Sequence, residues 1–229
     1  MARRVAERAG LSVRSRHRTV NPDGLTLLHL DEWLVAVDKP TGMLSVPGRG
    51  ADKADCVARR VQAAFPDALI VHRLDMGTSG VLVFGRGAAA QRALSMAFAE
   101  RQADKRYIAV VSGAPLEDSG RIELPLICDW PNRPRQKVDA DSGKPSATLW
   151  QVISRDTDTA RLALVPLTGR SHQLRVHLQA IGHPILGDEL YAPPAVLAMA
   201  PRLLLHAERL TLPHPADGQP FSVESPCPF

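Results

Sequence analysis

Cysteine, long apolar runs and glycine-rich phosphate loops are scarce or missing in this 229-residue sequence. Its three cysteines, Cys56, Cys128 and Cys227, are an odd number without paired spacing, so neither a disulfide framework nor a zinc cluster is indicated. No run approaches the roughly eighteen apolar residues of a membrane span, and the N-terminus lacks the apolar centre of a secretory signal. We therefore expect a cytoplasmic protein with reduced thiols and without a membrane partner.

The composition is that of a globular chain with a modest basic excess. Hydrophobic residues make up 45% and charged residues 23%, which suits one large domain or two closely packed halves. The net charge of +4 and the pI of about 9.2 permit a nucleic-acid partner without requiring one. Residues 1–24 are expected to form a mobile basic arm, which either attracts phosphates or is simply a frayed terminus.

Hydrophobic periodicity predicts a mixed chain of helices and strands from residue 25 onwards. Strands are indicated at residues 25–30, 33–37, 68–71, 81–84, 105–110, 121–124, 148–153 and 161–165. Helices are indicated at residues 54–65 and 88–102, and a third helix is expected to start at Ser171 as its N-cap. The tail is expected to hold two strands that turn at residues 217–218.

Residues 125–144 are an insertion between two of these strands and carry a cluster of cations. Arg133, Arg135 and Lys137 accompany Trp130 there, a combination suited to phosphate and base contacts. A solvated loop is the alternative interpretation of the same residues.

One carboxylate, Asp75, lies in a turn of small residues between two predicted strands. The turn, residues 72–80, reads HRLDMGTSG, and Gly77 and Gly80 give its backbone freedom. Its side chains include four hydrogen-bond donors that are expected to surround Asp75: His72, Arg73, Thr78 and Ser79. Such donors keep a half-buried carboxylate ionised. Taken alone, the segment is more simply interpreted as a capped loop, because Asp favours turns.

Two later segments change that interpretation, because with them the Asp75 turn resembles the signature of the RluA-type pseudouridine synthases. These segments are residues 105–110, KRYIAV, and residues 168–177, TGRSHQLRVH, which GHPILGD follows at 182–188. The resemblance covers most of the chain, from about Trp33 to LLLHA at residues 203–207.

Two shorter segments are similar to one short member of that family. They are LSVPG at residues 44–48 and ICDWPNRP at residues 127–134. That member has dual specificity: it modifies a tRNA anticodon loop and a hairpin of large-subunit rRNA. The resemblance therefore implies both of these RNA substrates.

The resemblance also implies three catalytic residues: Asp75, Tyr107 and Arg175. In this interpretation Arg175 pairs with Asp75 and holds it ionised. Tyr107 offers a ring that can stack on a base and a hydroxyl that can accept or donate a proton. Whether the carboxylate attacks the ribose or the pyrimidine ring, or assists a glycal route, stays open. No metal or redox cofactor is implied.

We expect six residues to bind RNA: His72, Arg73, Arg133, Arg135, Lys137 and His172. Arg73 is expected to fill the space that the flipped uridine leaves, and Leu205 to form the apolar wall of the uracil pocket. His172, Arg175 and Gln179 lie within roughly 60 degrees of one another on a helix. They are expected to form a polar wedge that faces away from the core and lines the active site.

Other functions fit parts of this sequence. The HRLD at residues 72–75 superficially resembles a kinase catalytic loop, but no glycine-rich phosphate loop accompanies it. A metal enzyme built on His172, His177 and His183 is disfavoured, because the first two diverge by about 140 degrees on a helix. A non-catalytic RNA-binding module on the same fold is the stronger alternative, together with a synthase that acts on a single rRNA site.

The expected fold is therefore α+β, with a curved, mixed and largely antiparallel sheet in two packed halves around a central cleft. Residues 25–229 are expected to form this catalytic domain, without a separate RNA-binding domain. The expected partners are tRNA and 23S rRNA hairpins, and the expected state is a monomer without a cofactor or a protein partner.

Overall fold

The computed structural model describes residues 19–20, 24–48, 50 and 54–229, and for residues 19–20 only the backbone. The predicted basic arm, residues 1–24, lies outside these residues except for residues 19–20 and 24. No helix of the described residues is long and apolar enough to cross a membrane.

The N-terminal half carries the first five strands and two helices. Its strands are β1 (Thr19–Val20), β2 (Thr26–Leu30), β3 (Leu34–Lys39), β4 (Ala68–Ile70) and β5 (Ser79–Arg86). Its helices are α1 (Val57–Ala64) and α2 (Gly87–Ala99), as the apolar spacing predicts. The Asp75 turn connects β4 to β5.

The C-terminal half carries the remaining elements. Its strands are β6 (Asp104–Ser112), β7 (Ser119–Glu123), β8 (Leu126–Cys128), β9 (Gln136–Val138), β10 (Ala147–Arg155), β11 (Thr159–Pro166), β12 (Leu205–Pro213) and β13 (Pro220–Glu224). Its helices are α3 (Gln173–Ala180) and the short α4 (Pro194–Leu197). The predicted tail hairpin is confirmed, since β12 and β13 pair around residues 214–219.

One large sheet joins the two halves in the order β1-β2-β3-β5-β12-β6-β11-β10-β7, with β4 beside β5 and β13 beside β12. β5 and β12 run parallel, whereas the other described neighbours are antiparallel. Gly80 makes the parallel contact possible: its φ is +113°, and a Cβ there would lie 2.2 Å from the carbonyl oxygen of Ala207. The prediction of a mixed, largely antiparallel sheet in two halves is confirmed.

Two of the apolar cores lie mainly one in each half, and Tyr107 packs against both. The N-terminal core includes Val37, Val61 and Phe84, and the C-terminal core includes Leu164 and Leu178. Tyr107 lies on β6, which is paired with β12 on one side and β11 on the other. Its position at the junction of the cores brings it to the cleft between them.

One local prediction was wrong. Helix α3 has His172 as its N-cap, not Ser171; His172 adopts the left-handed conformation with φ of 55° and makes no capping bond through its side chain. Gln173 stabilises the turn instead, because its Oε1 accepts hydrogen bonds from the Thr168 hydroxyl and the Arg170 backbone N–H. Residues 125–144, for which a solvated loop is the alternative interpretation, contain a short antiparallel hairpin of β8 and β9.

Candidate active site

A cleft of about 690 Å³ opens between the two halves. The Asp75 turn, β6, the segment after β11 and the start of α3 line it. Seven of the residues predicted for the site lie on its walls: His72, Arg73, Asp75, Tyr107, His172, Arg175 and Leu205. Arg133, Arg135 and Lys137 are not among the lining residues. The sequence therefore predicted a group of distant residues that the fold brings together.

Side-chain hydrogen bonds from the segment that follows β3 hold the Asp75 turn in place. The hydroxyl of Thr41 donates to the carbonyl of Gly77 at 2.7 Å. Ser45 both donates to the carbonyl of Leu74 at 2.7 Å and accepts its N–H at 3.0 Å. These bonds give Thr41, in the KPTG segment at residues 39–42, and Ser45 a structural role beside the Asp75 turn. They hold the backbone on both sides of the carboxylate.

Lys39 joins the same segment to the Asp75 turn through its ammonium group. Its side chain is completely buried, and Nζ donates to the carbonyls of Pro40 at 2.8 Å, Met43 at 2.6 Å and Met76 at 3.0 Å. Burial lowers the pKa of Lys39 to about 7, although the charge of Asp75 opposes this fall. Three carbonyl acceptors match the three protons of an ammonium group, so this geometry favours the charged form.

Arg175 has Asp188 as its main partner. Nε and Nη2 donate to the two carboxylate oxygens of Asp188 at 2.8 and 2.6 Å, whereas Nη1 lies 3.5 Å from Asp75 Oδ2. Burial alone would lower the pKa of Arg175, but the hydrogen bonds and charge of Asp188, followed by the charge of Asp75, raise it. The predicted pairing of Arg175 with Asp75 is thus the longer and weaker of two contacts.

Asp188 was missed as a site residue, although it closes the GHPILGD segment. It is 1% exposed, and besides Arg175 its Oδ1 accepts the backbone N–H groups of Leu190 at 2.9 Å and Tyr191 at 3.1 Å. These four donors satisfy a carboxylate that would otherwise be costly to bury. Asp188 therefore fixes the guanidinium that faces Asp75.

His172 is the second cation-capable group near Asp75. Its Nε2 lies 3.9 Å from Asp75 Oδ1, and its Nδ1 lies 2.6 Å from the hydroxyl of Tyr191. Burial lowers the pKa of His172 against the raising effect of Asp75, and Arg175 lowers it further. Of the expected polar wedge, His172 and Arg175 line the cleft, whereas Gln179 faces away from the core but is exposed outside the cleft.

Tyr107 and Leu205 form the apolar side of the cleft. Burial raises the pKa of the Tyr107 hydroxyl well above its usual value, and the charge of Asp75 raises it further. The side chain is therefore a neutral phenol at neutral pH, suited to stacking and to donating a hydrogen bond. Leu205 is 3% exposed and lines the same cleft from β12.

His72 and Ser79 do not donate to Asp75 as expected. Nε2 of His72 accepts the backbone N–H of Val83 at 3.0 Å, and its ring stacks on Phe98 at 4.6 Å. Burial lowers the pKa of His72 to about 3. The hydroxyl of Ser79 lies 2.9 Å from His206 Nδ1, on the far side of the turn. The contacts of both side chains are therefore with groups other than the carboxylate. Thr78 donates its backbone N–H to the backbone carbonyl of Asp75 at 3.1 Å, not to the carboxylate.

The β8–β9 hairpin, residues 126–138, carries the other predicted RNA contacts. Trp130 is 65% exposed at its tip, and the guanidinium of Arg133 lies 4.5 Å from the centre of the Trp130 ring. Arg135 is exposed beside it, and Lys137 lies 3.7 Å from Asp139. The hairpin therefore presents a stacked aromatic and cationic surface to the solvent.

The rim of the cleft carries cations beyond those predicted for the site. Its lining includes Arg101, Lys105 and Arg170 in addition to Arg73 and Arg175, against the carboxylates of Asp75 and Asp104. Lys105 and Arg170 belong to two of the segments that carry the resemblance, and this position in the sequence could have indicated that they line the cleft. Among the described residues no group of three or more His, Cys, Asp or Glu side chains could hold a metal ion.

Comparisons with known proteins agree with this geometry. The family model for RNA pseudouridylate synthase matches residues 33–180. The dual-specificity RNA pseudouridine synthase RluA of Escherichia coli is 53% identical over 206 residues, which cover 90% of this chain and 94% of that protein. Its namesake from Pasteurella multocida is 47% identical over the same shares.

A solved structure extends the agreement to the fold. Human RNA pseudouridylate synthase domain containing 1 superimposes with a TM-score of 0.76 at 28% identity, over 90% of this chain and 85% of that one. The chain therefore belongs to the RNA pseudouridylate synthase family and is an RNA pseudouridine synthase, an isomerase.

Proposed function

We propose that this synthase modifies uridines in short RNA hairpins of two kinds, a tRNA anticodon stem-loop and a hairpin of 23S rRNA, with Asp75 as its essential carboxylate. The observation that carries the proposal is the Asp75 carboxylate, fastened in the cleft and faced by Arg175 and His172. Support for two substrates comes from relatives that are named dual-specificity synthases and match nearly their whole length. We further propose that it acts as a cytoplasmic monomer.

A carboxylate suits the reaction, because C1′ of the ribose exchanges its bond to N1 for a bond to C5 and becomes electron-deficient between them. The bond from C1′ to uracil N1 breaks, the base rotates, and a bond from C1′ to C5 forms. C5 then loses its proton and N1 gains one, so the substrate's bonds and protons balance without an oxidant or reductant. Asp75 can assist this exchange as a nucleophile or as the negative partner of a cationic ribose.

Arg175 and Tyr107 have separate tasks in this proposal. Arg175 orients Asp75 through the 3.5 Å contact, while Asp188 holds the guanidinium in place. Tyr107, as a neutral phenol, stacks on the uracil and offers its hydroxyl as a hydrogen-bond donor. Leu205 closes the pocket around the apolar edge of the base.

The uridine must leave its stack to reach Asp75, and doing so costs a few kcal/mol. The cost is lower in a loop than in a paired stem, which favours hairpin loops as substrates. Arg73 is exposed at the cleft wall, two residues before Asp75. A planar guanidinium there can stack on the neighbours of the extruded base and fill its place.

Phosphate binding is assigned to two basic surfaces. Arg101, Lys105 and Arg170 line the cleft and are placed to contact the backbone next to the extruded uridine. Arg133, Arg135 and Lys137 lie on the β8–β9 hairpin, outside the cleft lining, and are assigned to more distant parts of the RNA. His172 contacts the target strand inside the cleft, whereas the packing of His72 on Phe98 makes it a structural residue.

Single-turnover modification of the two hairpins by one preparation tests this function. Short transcripts of an anticodon stem-loop and of a 23S rRNA hairpin with a similar loop should both form pseudouridine, and a fully paired duplex of equal length should not. Reaction with only one hairpin would contradict dual specificity. Reaction with neither would contradict the substrate assignment while leaving the family membership in place.

A further inference from the structure

Tyr191 connects the β8–β9 hairpin to the catalytic cleft by two hydrogen bonds. Its hydroxyl accepts the backbone N–H of Gln136, the first residue of β9, at 2.8 Å. The same hydroxyl lies 2.6 Å from Nδ1 of His172, whose other nitrogen faces Asp75. A continuous chain of polar contacts therefore runs from the hairpin to Asp75.

The donor and acceptor roles along these contacts can be followed from Gln136 toward Asp75. A backbone N–H can only donate, so the Tyr191 oxygen is the acceptor toward Gln136. Its own proton is then available to His172 Nδ1, which accepts it when the neutral ring is the Nε2–H tautomer. In that tautomer the imidazole proton is on Nε2, the nitrogen that lies 3.9 Å from Asp75 Oδ1.

The Tyr191 side chain is enclosed by contacts with the residues around Asp75. Tyr191 is 8% exposed, and its backbone N–H donates to Asp188 at 3.1 Å. The guanidinium of Arg175 lies 5.0 Å from the centre of its ring, and the His172 ring meets it edge-on at 5.6 Å. Tyr191 thus contacts both groups that face Asp75 and the residue that anchors one of them.

We propose that Tyr191 is a positioning residue that fixes the Nε2–H tautomer of His172. Through its bond to Gln136, Tyr191 also links the position of the β8–β9 hairpin to the orientation of that N–H toward Asp75. The linkage to RNA rests on the proposed function, because it takes the hairpin to bind substrate. When RNA presses the hairpin onto the body of the protein, the Gln136 bond to Tyr191 is reinforced, and His172 is held toward the carboxylate.

Electrostatics are consistent with this direction. Burial raises the pKa of Tyr191 to about 12, so the hydroxyl keeps its proton at neutral pH. Burial lowers the pKa of His172, which keeps the ring neutral and Nδ1 available as an acceptor. The charged groups that act on His172 are Asp75, Arg175, Asp188 and Arg73.

The first test is the tautomer of His172, read from its ¹⁵N shifts by NMR in protein labelled at histidine. The wild-type protein should show a protonated Nε2 and an unprotonated Nδ1. Tyr191→Phe removes only the hydroxyl and should give a mixture of tautomers, whereas Thr211→Val, a hydroxyl deletion on the exposed contact with Ser222, should leave the His172 signals unchanged. A wild-type ring protonated at Nδ1, or no change in Tyr191→Phe, would overturn the proposal.

The second test is a double-mutant cycle on the single-turnover rate at saturating RNA. Tyr191→Phe should lower the rate on the order of tenfold, as expected for a lost positioning hydrogen bond. In a His172→Ala background the same change should have less than about a twofold effect, because its target is gone. An equal loss in both backgrounds would show that Tyr191 acts without His172 and would overturn the proposal.

The two tests separate this inference from the proposed function. A wild-type protein that modifies neither hairpin would contradict the proposed function, and the NMR result would then decide the link between Tyr191 and His172 alone. Modification of both hairpins with a wrong tautomer would leave the function standing and refute the link.

Discussion

Arg175 donates two hydrogen bonds to Asp188, at 2.8 and 2.6 Å, and both side chains are buried. The guanidinium that faces Asp75 is therefore anchored by a different carboxylate, thirteen positions further along the chain. A buried pair of this kind is costly to break from one side, because the remaining charge loses its partner. The pair thus couples the stability of the C-terminal half to the geometry of the cleft.

Asp188→Asn should destabilise the protein by about 3–5 kcal/mol, since the buried Arg175 would lose its countercharge. Asparagine still offers an oxygen to the N–H groups of Leu190 and Tyr191, so the loss reports mainly on the ion pair. Urea unfolding measures it. Asp55→Asn, which breaks the exposed contact with Arg60, is the control and should have little effect. Equal effects of the two substitutions would contradict the importance of the buried pair.

Arg175→Lys should keep only part of the activity, and Arg175→Leu less still. A lysine cannot donate to Asp188 through two nitrogens and contact Asp75 through a third, so the orientation of Asp75 would relax. We expect the single-turnover rate to fall with the order wild type, lysine, leucine, and the melting temperature to fall in the same order. Full turnover and an unchanged melting temperature in the leucine variant would refute this role.

His72 should make stability depend on pH below neutrality. Its pKa is lowered from 6.5 to about 3 in the folded protein, so the unfolded chain binds the extra proton between these values. Its contribution is therefore present above pH 6.5 and declines as the pH falls. His72→Gln keeps an acceptor for the Val83 N–H without a titrating ring.

The wild type should consequently lose stability relative to His72→Gln between pH 6 and pH 4, by up to about 1.4 kcal/mol per pH unit. Urea unfolding at several pH values in this range measures the difference. Parallel stability curves for the two proteins would show that His72 is not held neutral.

Arg133→Glu combined with Arg135→Glu should weaken RNA binding and leave the rate at saturating RNA largely intact. The slope of log Kd against log salt should shrink by roughly 1.5, as expected for two lost phosphate contacts on single-stranded RNA. The control is the same change at Arg59 and Arg92, exposed residues outside the cleft lining and the hairpin. If the control weakened binding equally, the hairpin would have no specific role.

The sequence was a good guide where one local segment carries its own pattern. The helical spacing of Val57 and Val61 and the turn at residues 217–218 predict elements that the structure confirms. The Asp75 turn, the Tyr107 strand and the Arg175 segment were recognisable because each motif is short and contiguous. Their meeting in one cleft followed from the resemblance, since no periodicity encodes a contact across 100 positions, as between Asp75 and Arg175.

Partners chosen by tertiary packing were beyond the same reasoning. Asp188 belongs to a recognisable motif, but no local sequence pattern shows that Arg175 donates its two shorter hydrogen bonds to Asp188 and not to Asp75. The turn before α3 is stabilised by the side chain of Gln173, which accepts a hydrogen bond from Thr168, and not by Ser171 as an N-cap. Tyr191 contacts His172 from another part of the chain, and its other hydroxyl partner, Gln136, lies in a hairpin whose strands are three residues each, too short for an alternating pattern to register.

Release of tritium from C5-labelled uridine, in a single turnover with the anticodon stem-loop, tests the central claim most directly. The account predicts that Asp75→Asn binds the RNA with near wild-type affinity and releases no tritium above background. Asp67→Asn, which removes a carboxylate paired with Arg86 outside the cleft lining, should release it at the wild-type rate. Turnover by Asp75→Asn near the wild-type rate would contradict the assignment of Asp75 as the essential carboxylate.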